Sequence, residues 1–366
     1  SGGVDSSAVV ALMAEASPNP VKTFSIGFEE QDYSELKYAS RVAEHIGAEH
    51  HEFIVKPDAL EILPLLVEHY GEPYADSSAI PTYYVSRETR KHVTVALNGD
   101  GGDESFAGYE RYTAMRLAER YYKLPGILRR NLIERAVNLV PTSELKRRSR
   151  ARDLKRFLNA ASLPKVERYF QWVSAVNRDT KDELYTADFK HRIADNDPAQ
   201  VLQNWFTTAN GIGVVDATMM TDQQTYLPND LLVKVDIASM AVSLEARSPL
   251  LDHKIIEFAA SLPEDIKLRG RETKSLLKKV AAKLVPPEVI YRRKMGFGVP
   301  IANWLRGEME NFMREVLLSE KSFRRGIVRP EILTRLVDEH TKGVRDHAPQ
   351  LWAFLMLELW FNKFID

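Results

Sequence analysis

The first seven residues of the 366-residue chain, Ser1–Ser7 with the sequence S-G-G-V-D-S-S, restrict its fold more than any other stretch. Their two glycines carry no Cβ, so the backbone can turn sharply and approach a ligand closely. The apolar run Ala8–Met13 follows and predicts a helix that begins in this loop. Backbone N–H groups at a helix start lie at the positive end of the helix dipole and bind anions, most often phosphate. We therefore expect a phosphate-binding loop in which Asp5 is placed to meet a cation on the phosphate.

The loop is not a Walker A loop, because the pattern G-x-x-x-x-G-K-S/T is absent from this chain. The pattern S-G-G-x-D-S-S instead resembles the pyrophosphate loop of ATP pyrophosphatases, which cleave ATP between the α and β phosphates and leave AMP on the substrate. An ordinary glycine–serine turn that caps a helix is the alternative, and the seven matched positions disfavour it. The resemblance implies that ATP is bound by Ser1, Gly2, Gly3, Asp5, Ser6 and Ser7.

Composition narrows the class of protein. Hydrophobic residues make up 44% and charged residues 28%, which is typical of a soluble globular protein. The net charge of -1 does not favour nucleic acid as a partner. The absence of cysteine excludes disulfides, cysteine-ligated metals and a cysteine nucleophile within this sequence. Since there is also no signal peptide and no long uninterrupted apolar run, we expect a cytoplasmic protein with no membrane partner.

Apolar strands alternate with amphipathic helices in the first part of the chain, and the strand before the third loop is expected to be buried. This alternation predicts an α/β fold, a parallel sheet with helices on both faces, as in adenine nucleotide alpha hydrolases and ATP pyrophosphatases. We expect this core over residues 1–125, with a first strand before Ser1, and a mostly helical portion over residues 126–366. The predicted elements are Val21–Ile26 (strand), Asp32–Gly47 (helix), His51–Val55 (strand), Asp58–Tyr70 (helix), Ile80–Lys91 (helix) and Val93–Leu97 (strand).

Three loops should meet at one edge of the sheet, because ligands of parallel α/β sheets bind at the carboxyl ends of the strands. These loops are Ser1–Ser7, Ser25–Phe28 and Asn98–Glu104. The third, N-G-D-G-G-D-E, combines flexible glycines with acids directly after a predicted strand. Carboxylates repel phosphates unless Mg²⁺ lies between them. We therefore expect Asp5 and Asp103 to hold Mg²⁺, the alternative being an acidic surface turn.

Four motifs in the same order resemble the synthetase domain of glutamine-hydrolysing asparagine synthetases. Together they span nearly the whole chain, so the resemblance is specific. They are Ser1–Ser7, Asn98–Tyr109 (N-G-D-G-G-D-E-S-F-A-G-Y), Leu227–Asp252 (L-P-N-D-L-L-V-K-V-D-I-A-S-M-A-V-S-L-E-A-R-S-P-L-L-D) and Tyr291–Pro300 (Y-R-R-K-M-G-F-G-V-P).

The resemblance implies nucleotide contacts at four further positions. Ile26, Asn98 and Gly99 match residues that contact the adenosine part of ATP, and Lys294 matches a lysine that contacts the phosphates. Asn98 stands where the family more often has serine, and it can still hydrogen-bond the nucleotide. The glycines that follow Lys294, at positions 296 and 298, suit a mobile loop that closes a site.

The resemblance also implies metal and substrate contacts. Asp5 and Asp103 match the residues that hold Mg²⁺, and Asp100 matches the acid beside the amino-acid substrate, where some members have glutamate. Asp100 is our candidate to accept a proton or orient the amine. If it does not, the next candidates are Glu104, Asp236 and Glu245.

The resemblance implies a reaction that activates a carboxylate as an acyl-adenylate and releases pyrophosphate. The carboxylate that we expect is that of the aspartate side chain. Ammonia then attacks the carbonyl and gives asparagine and AMP. In this family the ammonia comes from glutamine through an N-terminal glutaminase domain with an N-terminal cysteine. The abrupt start and the lack of cysteine lead us to expect that this domain lies outside the sequence. A homodimer is left open as an assembly.

Three alternatives remain at the level of sequence. The same adenylation can serve another carboxylate, either on a cell-envelope sugar or in lactam closure. A tRNA-modifying pyrophosphatase would use a basic cluster, although a solvated helix face explains such a cluster better at this net charge. A non-catalytic binding module is disfavoured by the intact Asp5, Asp103 and Lys294. The cluster consists of Lys146, Arg147, Arg148, Arg150, Arg152, Lys155 and Arg156.

Overall fold

A computed structural model describes residues 1–28, 34–55, 58–128, 157–158, 160–292 and 296–366. Helices predominate, and the strands are short. Up to residue 128 the elements are α1 (Val4–Ala16), β1 (Lys22–Gly27), α2 (Leu36–Ile46), β2 (Glu49–Ile54), α3 (Ala59–Tyr70), α4 (Ala79–Arg90), β3 (Val95–Leu97), α5 (Gly102–Ser105), α6 (Glu110–Tyr122) and α7 (Gly126–Leu128).

The elements from residue 160 onward are helical apart from one strand. A π-helical turn, Leu227–Leu231, comes directly before α13, and a 3-10 turn, Pro249–Leu251, follows β4. The elements are α8 (Lys165–Val173), α9 (Arg178–Leu184), α10 (Ala187–Arg192), α11 (Ala199–Thr208), α12 (Val214–Gln224), α13 (Leu232–Met240), β4 (Glu245–Arg247), α14 (His253–Ser261), α15 (Glu264–Lys267), α16 (Ser275–Ala281), α17 (Pro287–Ile290), α18 (Ile301–Trp304), α19 (Glu310–Leu317), α20 (Glu320–Arg324), α21 (Pro330–Thr341) and α22 (Ala348–Phe364).

The predicted α/β class and parallel strand pairing are confirmed. In the described part of the chain the strands form two separate two-stranded sheets, in which β1 pairs with β2 and β3 pairs with β4. The prediction that the third strand is buried is wrong. Val95 and Leu97 are 38% and 40% exposed, because these alternate side chains lie on one face of the strand and the described residues leave that face partly uncovered.

The predicted helices of the first part are present with small shifts at their ends. The second ends as expected at Gly47, whose φ of +66° suits glycine as the residue after a helix. This helix begins at Leu36, and Asp32, its predicted start, lies outside the described residues.

By its contacts the chain divides into two compact units. The first comprises residues 1–70, 76–110 and 219–299, and the second comprises residues 71–75, 111–218 and 300–366. In the first unit α1 packs on α16, with Ala8 and Ala11 in the same buried cluster as Leu277 and Ala281. Burial of this apolar surface holds the start of α1 beside the start of α16. All predicted site residues that the structure describes belong to this unit.

In the second unit α22 is a core helix. Leu351 and Leu355 are fully buried on it, and Glu358 pairs with Arg325 at 2.7 Å. No helix among the described residues combines the length and the apolar character that crossing a membrane requires. The basic cluster of residues 146–156 lies outside the described residues.

Candidate functional site

The predicted phosphate-binding loop forms the N-terminal turn of α1. The Ser7 N–H donates to the Gly3 carbonyl at 3.0 Å, which closes the first helical turn. Gly2 has a φ of +65°, and a Cβ on it would lie 2.6 Å from Tyr38 Cβ. Only glycine satisfies both the left-handed backbone and the close approach of Tyr38. The N–H groups of the first turn are therefore presented by a tightly constrained loop.

The serine hydroxyls of this loop are close together. Ser1 Oγ and Ser6 Oγ lie 2.7 Å apart, and Ser6 Oγ also donates to the Gly3 carbonyl at 3.3 Å. Ser7 is buried, with 1% of its surface exposed. The structure thus groups the predicted ATP-binding residues at one helix start, while their contact with ATP stays a prediction.

The loop that follows β3 packs directly on this helix start through its glycines. A Cβ on Gly99 would lie 2.6 Å from Ser6 N, and a Cβ on Gly102 would lie 2.5 Å from Asp5 Oδ1. Larger residues would push the two loops apart. The approach brings Asp103, in the first turn of α5, to the same place as Asp5.

A lysine that the sequence did not single out joins these two carboxylates. Lys274 Nζ lies 2.7 Å from Asp103 Oδ1 and also donates to Asp5 Oδ2. Its side chain is only 4% exposed. Burial alone would lower the pKa of Lys274, but the carboxylates of Asp5 and Asp103 outweigh it and raise the pKa above its usual value. The lysine is therefore a buried ammonium between two acids.

The residues present fit a divalent cation. Two carboxylates from separate loops converge on one position, which the ammonium of Lys274 takes here. Among the described residues no group of three or more histidine, cysteine, aspartate or glutamate side chains forms a metal cluster. A Mg²⁺ ion at Asp5 and Asp103 would thus need phosphate oxygens or water as its other ligands.

The amide of Asn98 is occupied within its own loop. Its Nδ2 donates to Asp100 Oδ2 at 2.8 Å, and its Oδ1 accepts from Ser248 Oγ at 2.5 Å. Asn98 thereby ties Asp100 to the segment after β4. This orienting contact is a geometric fact, whereas the adenosine contact of Asn98 stays a prediction.

Asp100 lies in a buried and charged environment. Burial is the main cause that raises its pKa, and the neighbouring Asp5 and Asp103 raise it further, while the ammonium of Lys234 opposes them. Lys234 is itself held by Asp76, with Nζ to Oδ2 at 2.9 Å. The carboxyl group of Asp100 is therefore prone to carry a proton more readily than an exposed aspartate.

Glu104 forms a buried pair with Tyr109. The glutamate is 1% exposed and accepts a hydrogen bond from Tyr109 Oη. Burial raises the pKa of Glu104 to about 7, the Tyr109 hydrogen bond opposes this, and Asp103 and Asp222 add to it. Glu104, Asp236 and Glu245 are the next candidates after Asp100 for handling the amine. Of these three, only Glu104 is buried, whereas Asp236 and Glu245 are exposed.

Arg292 clamps the phosphate-binding loop from the side. Its Nε donates to the Gly2 carbonyl at 2.9 Å, its guanidinium pairs with Glu35, and it lies 4.6 Å from the ring centroid of Tyr38. Lys294, two residues later, lies outside the described residues. Its predicted contact with the phosphates therefore stays a prediction.

Ile26 is buried at the carboxyl end of β1, where the predicted second loop begins. It belongs to the sheet of β1 and β2, whereas Asn98 and Gly99 follow β3 in the other sheet. Its contact with adenosine stays a prediction.

Comparison with known proteins identifies the family of this chain. The family model described as asparagine synthase matches residues 1–362. Glutamine-hydrolyzing asparagine synthetase 1 of Bacillus subtilis (strain 168) is 32% identical over 367 residues, which covers 100% of this chain and 56% of the relative. A Mycobacterium bovis protein, whose given name is also a glutamine-hydrolyzing asparagine synthetase, is 33% identical over 371 residues, covering 100% of this chain and 54% of the relative.

A more distant relative has a different name. Amidase chyE of Penicillium rubens is 21% identical over 370 residues, covering 90% of this chain and 52% of the relative. The chain spans about half the length of the curated relatives it matches.

Replacing Gly108 tests the packing of the buried lysine. A Cβ on Gly108 would lie 2.0 Å from Asp103 Oδ1 and 2.1 Å from Lys274 Cε, so Gly108→Ala should force these groups apart. We expect a loss of about 1–3 kcal/mol in the free energy of unfolding by urea, as for other overpacked sites. Gly296→Ala is the control, because among the described residues beyond its chain neighbours no atom lies within 4 Å of its added Cβ. Equal effects of the two changes would contradict the close packing.

Proposed function

The chain belongs to the asparagine synthase family, and on that basis we propose that it forms an amide by ATP-dependent activation of the aspartate side chain. One observation carries the proposal. The start of α1, which suits an anion, adjoins the position where Asp5 and Asp103 converge on a cation. An anion site beside a cation position suits a metal-bound triphosphate.

We propose that the α/β part has the ATP pyrophosphatase fold. The parallel pairing of β1 with β2 and of β3 with β4, and the glycine-rich loops after β3 and before α1, support this. The proposed division is an ATP-binding core over residues 1–125 and a helical portion over residues 126–366 that completes the active site.

The proposed chemistry has two steps because a carboxylate has no usable leaving group. In the first, a carboxylate oxygen of aspartate attacks the α-phosphorus of ATP, and pyrophosphate leaves. In the second, ammonia attacks the activated carbonyl carbon, AMP leaves with the former carboxylate oxygen, and the amine loses a proton. The products are asparagine, AMP and pyrophosphate.

The first step needs positive charge around the phosphates. The N–H groups at the start of α1 and the ammonium of Lys294 would bind the phosphate oxygens. Mg²⁺, held when present by Asp5 and Asp103, would neutralise charge that builds up on them. Ile26, Asn98 and Gly99 would place the adenosine part.

The second step needs a proton acceptor near the amine. Asp100 is the proposed group, since the Asn98 amide orients it and the carboxyl group lies in the same loop as Asp103.

We propose that the ammonia is produced from glutamine by a glutaminase domain. The two relatives at 32% and 33% identity carry this activity in their names, and about half of each lies outside the match. A free ammonium ion cannot act as a nucleophile, so a local source of ammonia is an advantage at neutral pH. Cytoplasmic location and homodimer formation are proposals that follow from the family.

We favour aspartate over other acceptors because the relatives named asparagine synthetases are more similar to this chain than the amidase is. Two asparagine synthetases are 32% and 33% identical over the whole chain, whereas the amidase is 21% identical. A sugar carboxylate or a lactam precursor would use the same adenylation.

Nitrogen donors test the proposed function. With ATP, Mg²⁺, aspartate and ammonium at raised pH, the chain should form asparagine, AMP and pyrophosphate in equal amounts. Glutamine should not replace ammonium, because the chain has no cysteine to act as the glutaminase nucleophile. Chromatography of all three products checks this. Release of AMP with another carboxylate but not with aspartate would contradict the assigned acceptor, and amide formation from glutamine would contradict the separate glutaminase.

Two substitutions separate the two steps. Lys294→Ala removes a donor to the phosphates and should slow pyrophosphate release by about 10²- to 10³-fold, even without ammonia. Asp100→Asn keeps the size of the side chain but removes its basicity, so it should raise the ratio of pyrophosphate to asparagine as the adenylate is hydrolysed. Both products are timed in parallel for each variant. Normal pyrophosphate release by Lys294→Ala, or an unchanged ratio for Asp100→Asn, would show that the assigned roles are wrong.

A further inference from the structure

Lys274 has three structural features that a simple buried salt bridge does not need. Its backbone has a φ of +54°, in the left-handed region that residues with a Cβ rarely adopt. This conformation occurs directly before α16, at the residue that caps the start of the helix. Strained backbone of this kind persists where the surrounding structure imposes it, often at a functional site.

The second feature is the space that Gly108 provides. The position of a Cβ on Gly108 is taken by Lys274 Cε and Asp103 Oδ1, at 2.1 Å and 2.0 Å. The Gly108 N–H donates to the Asp103 carbonyl at 2.8 Å, which keeps this glycine against α5. The lysine therefore reaches the carboxylates through a channel that only glycine leaves open.

The third feature is the position of the ammonium itself. It bridges Asp5 and Asp103, which come from the start of α1 and from the loop after β3. A divalent cation bound by both carboxylates would need the same position. Two cations cannot share it, because like charges at such a distance repel strongly in a buried site.

We propose that Lys274 is a positioning residue that holds the cation position between Asp5 and Asp103 until Mg²⁺ arrives with ATP. The proposal rests on the proposed function, since it takes the two aspartates as metal ligands. Without a nucleotide, the ammonium balances part of their charge and excludes free Mg²⁺. With a nucleotide, the phosphate oxygens supply both further ligands for the metal and a new partner for the displaced ammonium.

Because of this exchange, the metal binds together with the nucleotide and not before it. The two carboxylates and one ammonium leave a net charge of about one negative unit, so the position attracts a free divalent cation only weakly. When the metal arrives with phosphate oxygens, the metal pairs with the two carboxylates and the displaced ammonium pairs with the phosphates. No charged group is then left buried without a counter-charge. Lys274 would thereby make metal binding depend on the nucleotide.

Mn²⁺ binding without turnover tests the proposal. Equilibrium dialysis compares the unaltered chain with Lys274→Met, first with Mn²⁺ alone and then with Mn²⁺ and α,β-methylene-ATP. We expect the unaltered chain to bind Mn²⁺ weakly alone, and Lys274→Met to bind it at least about tenfold more tightly, because the competing positive charge is gone. Lys279→Met is the matched control, since Lys279 lies exposed on α16, the helix that Lys274 precedes, and its replacement should not alter binding.

A second substitution shows which site gains the metal. The gain should disappear in Lys274→Met combined with Asp103→Asn, which keeps the size of the aspartate and removes its charge. Thermal unfolding gives a separate readout, in which added Mg²⁺ should stabilise Lys274→Met and leave the unaltered chain unchanged. A Lys274→Met protein that folds only with Mg²⁺ would also support the proposal.

The outcomes distinguish this inference from the proposed function. Tight binding of Mn²⁺ alone by the unaltered chain, or no gain in Lys274→Met, overturns the role of Lys274 and leaves amide formation to be judged by its own products. If Lys274→Met does not fold in any condition, the proposal is tested by Mn²⁺ binding to the unaltered chain with and without the nucleotide analogue. Retention of Mn²⁺ that rises at least about tenfold with the analogue supports the proposal, and equal retention with and without it overturns the proposal.

Discussion

The site depends on one electrostatic arrangement, the buried ammonium of Lys274 between the carboxylates of Asp5 and Asp103. Two carboxylates that are only 16% and 17% exposed would repel each other and lose part of their hydration without a cation between them. The positive charge therefore stabilises the approach of the start of α1 to the loop after β3. The same requirement explains why the position suits a metal ion.

The fold supplies this arrangement through packing at small residues. Alanines of α1 pack on α16, and so the lysine before α16 starts close to the helix start of α1. Glycines provide the remaining space, since Gly99 and Gly102 meet the first turn of α1 and Gly108 admits the lysine stem. Arg292 ties Gly2 to Glu35 and fixes the other side of the loop. The N–H groups at the start of α1 and the cation position are thus held together before any ligand binds.

The sequence was sufficient to predict what local pattern determines. The loop Ser1–Ser7, the acidic loop after β3 and the parallel strand pairing follow from glycine spacing and from the alternation of strands and helices. Lys274 was missed because its partners are far away in the chain, and a lysine before a short helix has no pattern of its own. The exposure of Val95 and Leu97 was missed because an apolar run shows strand propensity but not which neighbours cover it. The clamp of Arg292 was missed for the same reason as Lys274.

The central claim is that aspartate is activated at its side-chain carboxylate by transfer to the α-phosphorus of ATP. The most direct test supplies aspartate whose side-chain carboxylate carries a heavy oxygen isotope, together with ATP, Mg²⁺ and ammonium. Mass spectrometry of the products then follows the label. Adenylation predicts one heavy oxygen atom in AMP for each asparagine formed, and none in pyrophosphate. Unlabelled AMP formed together with asparagine would contradict it.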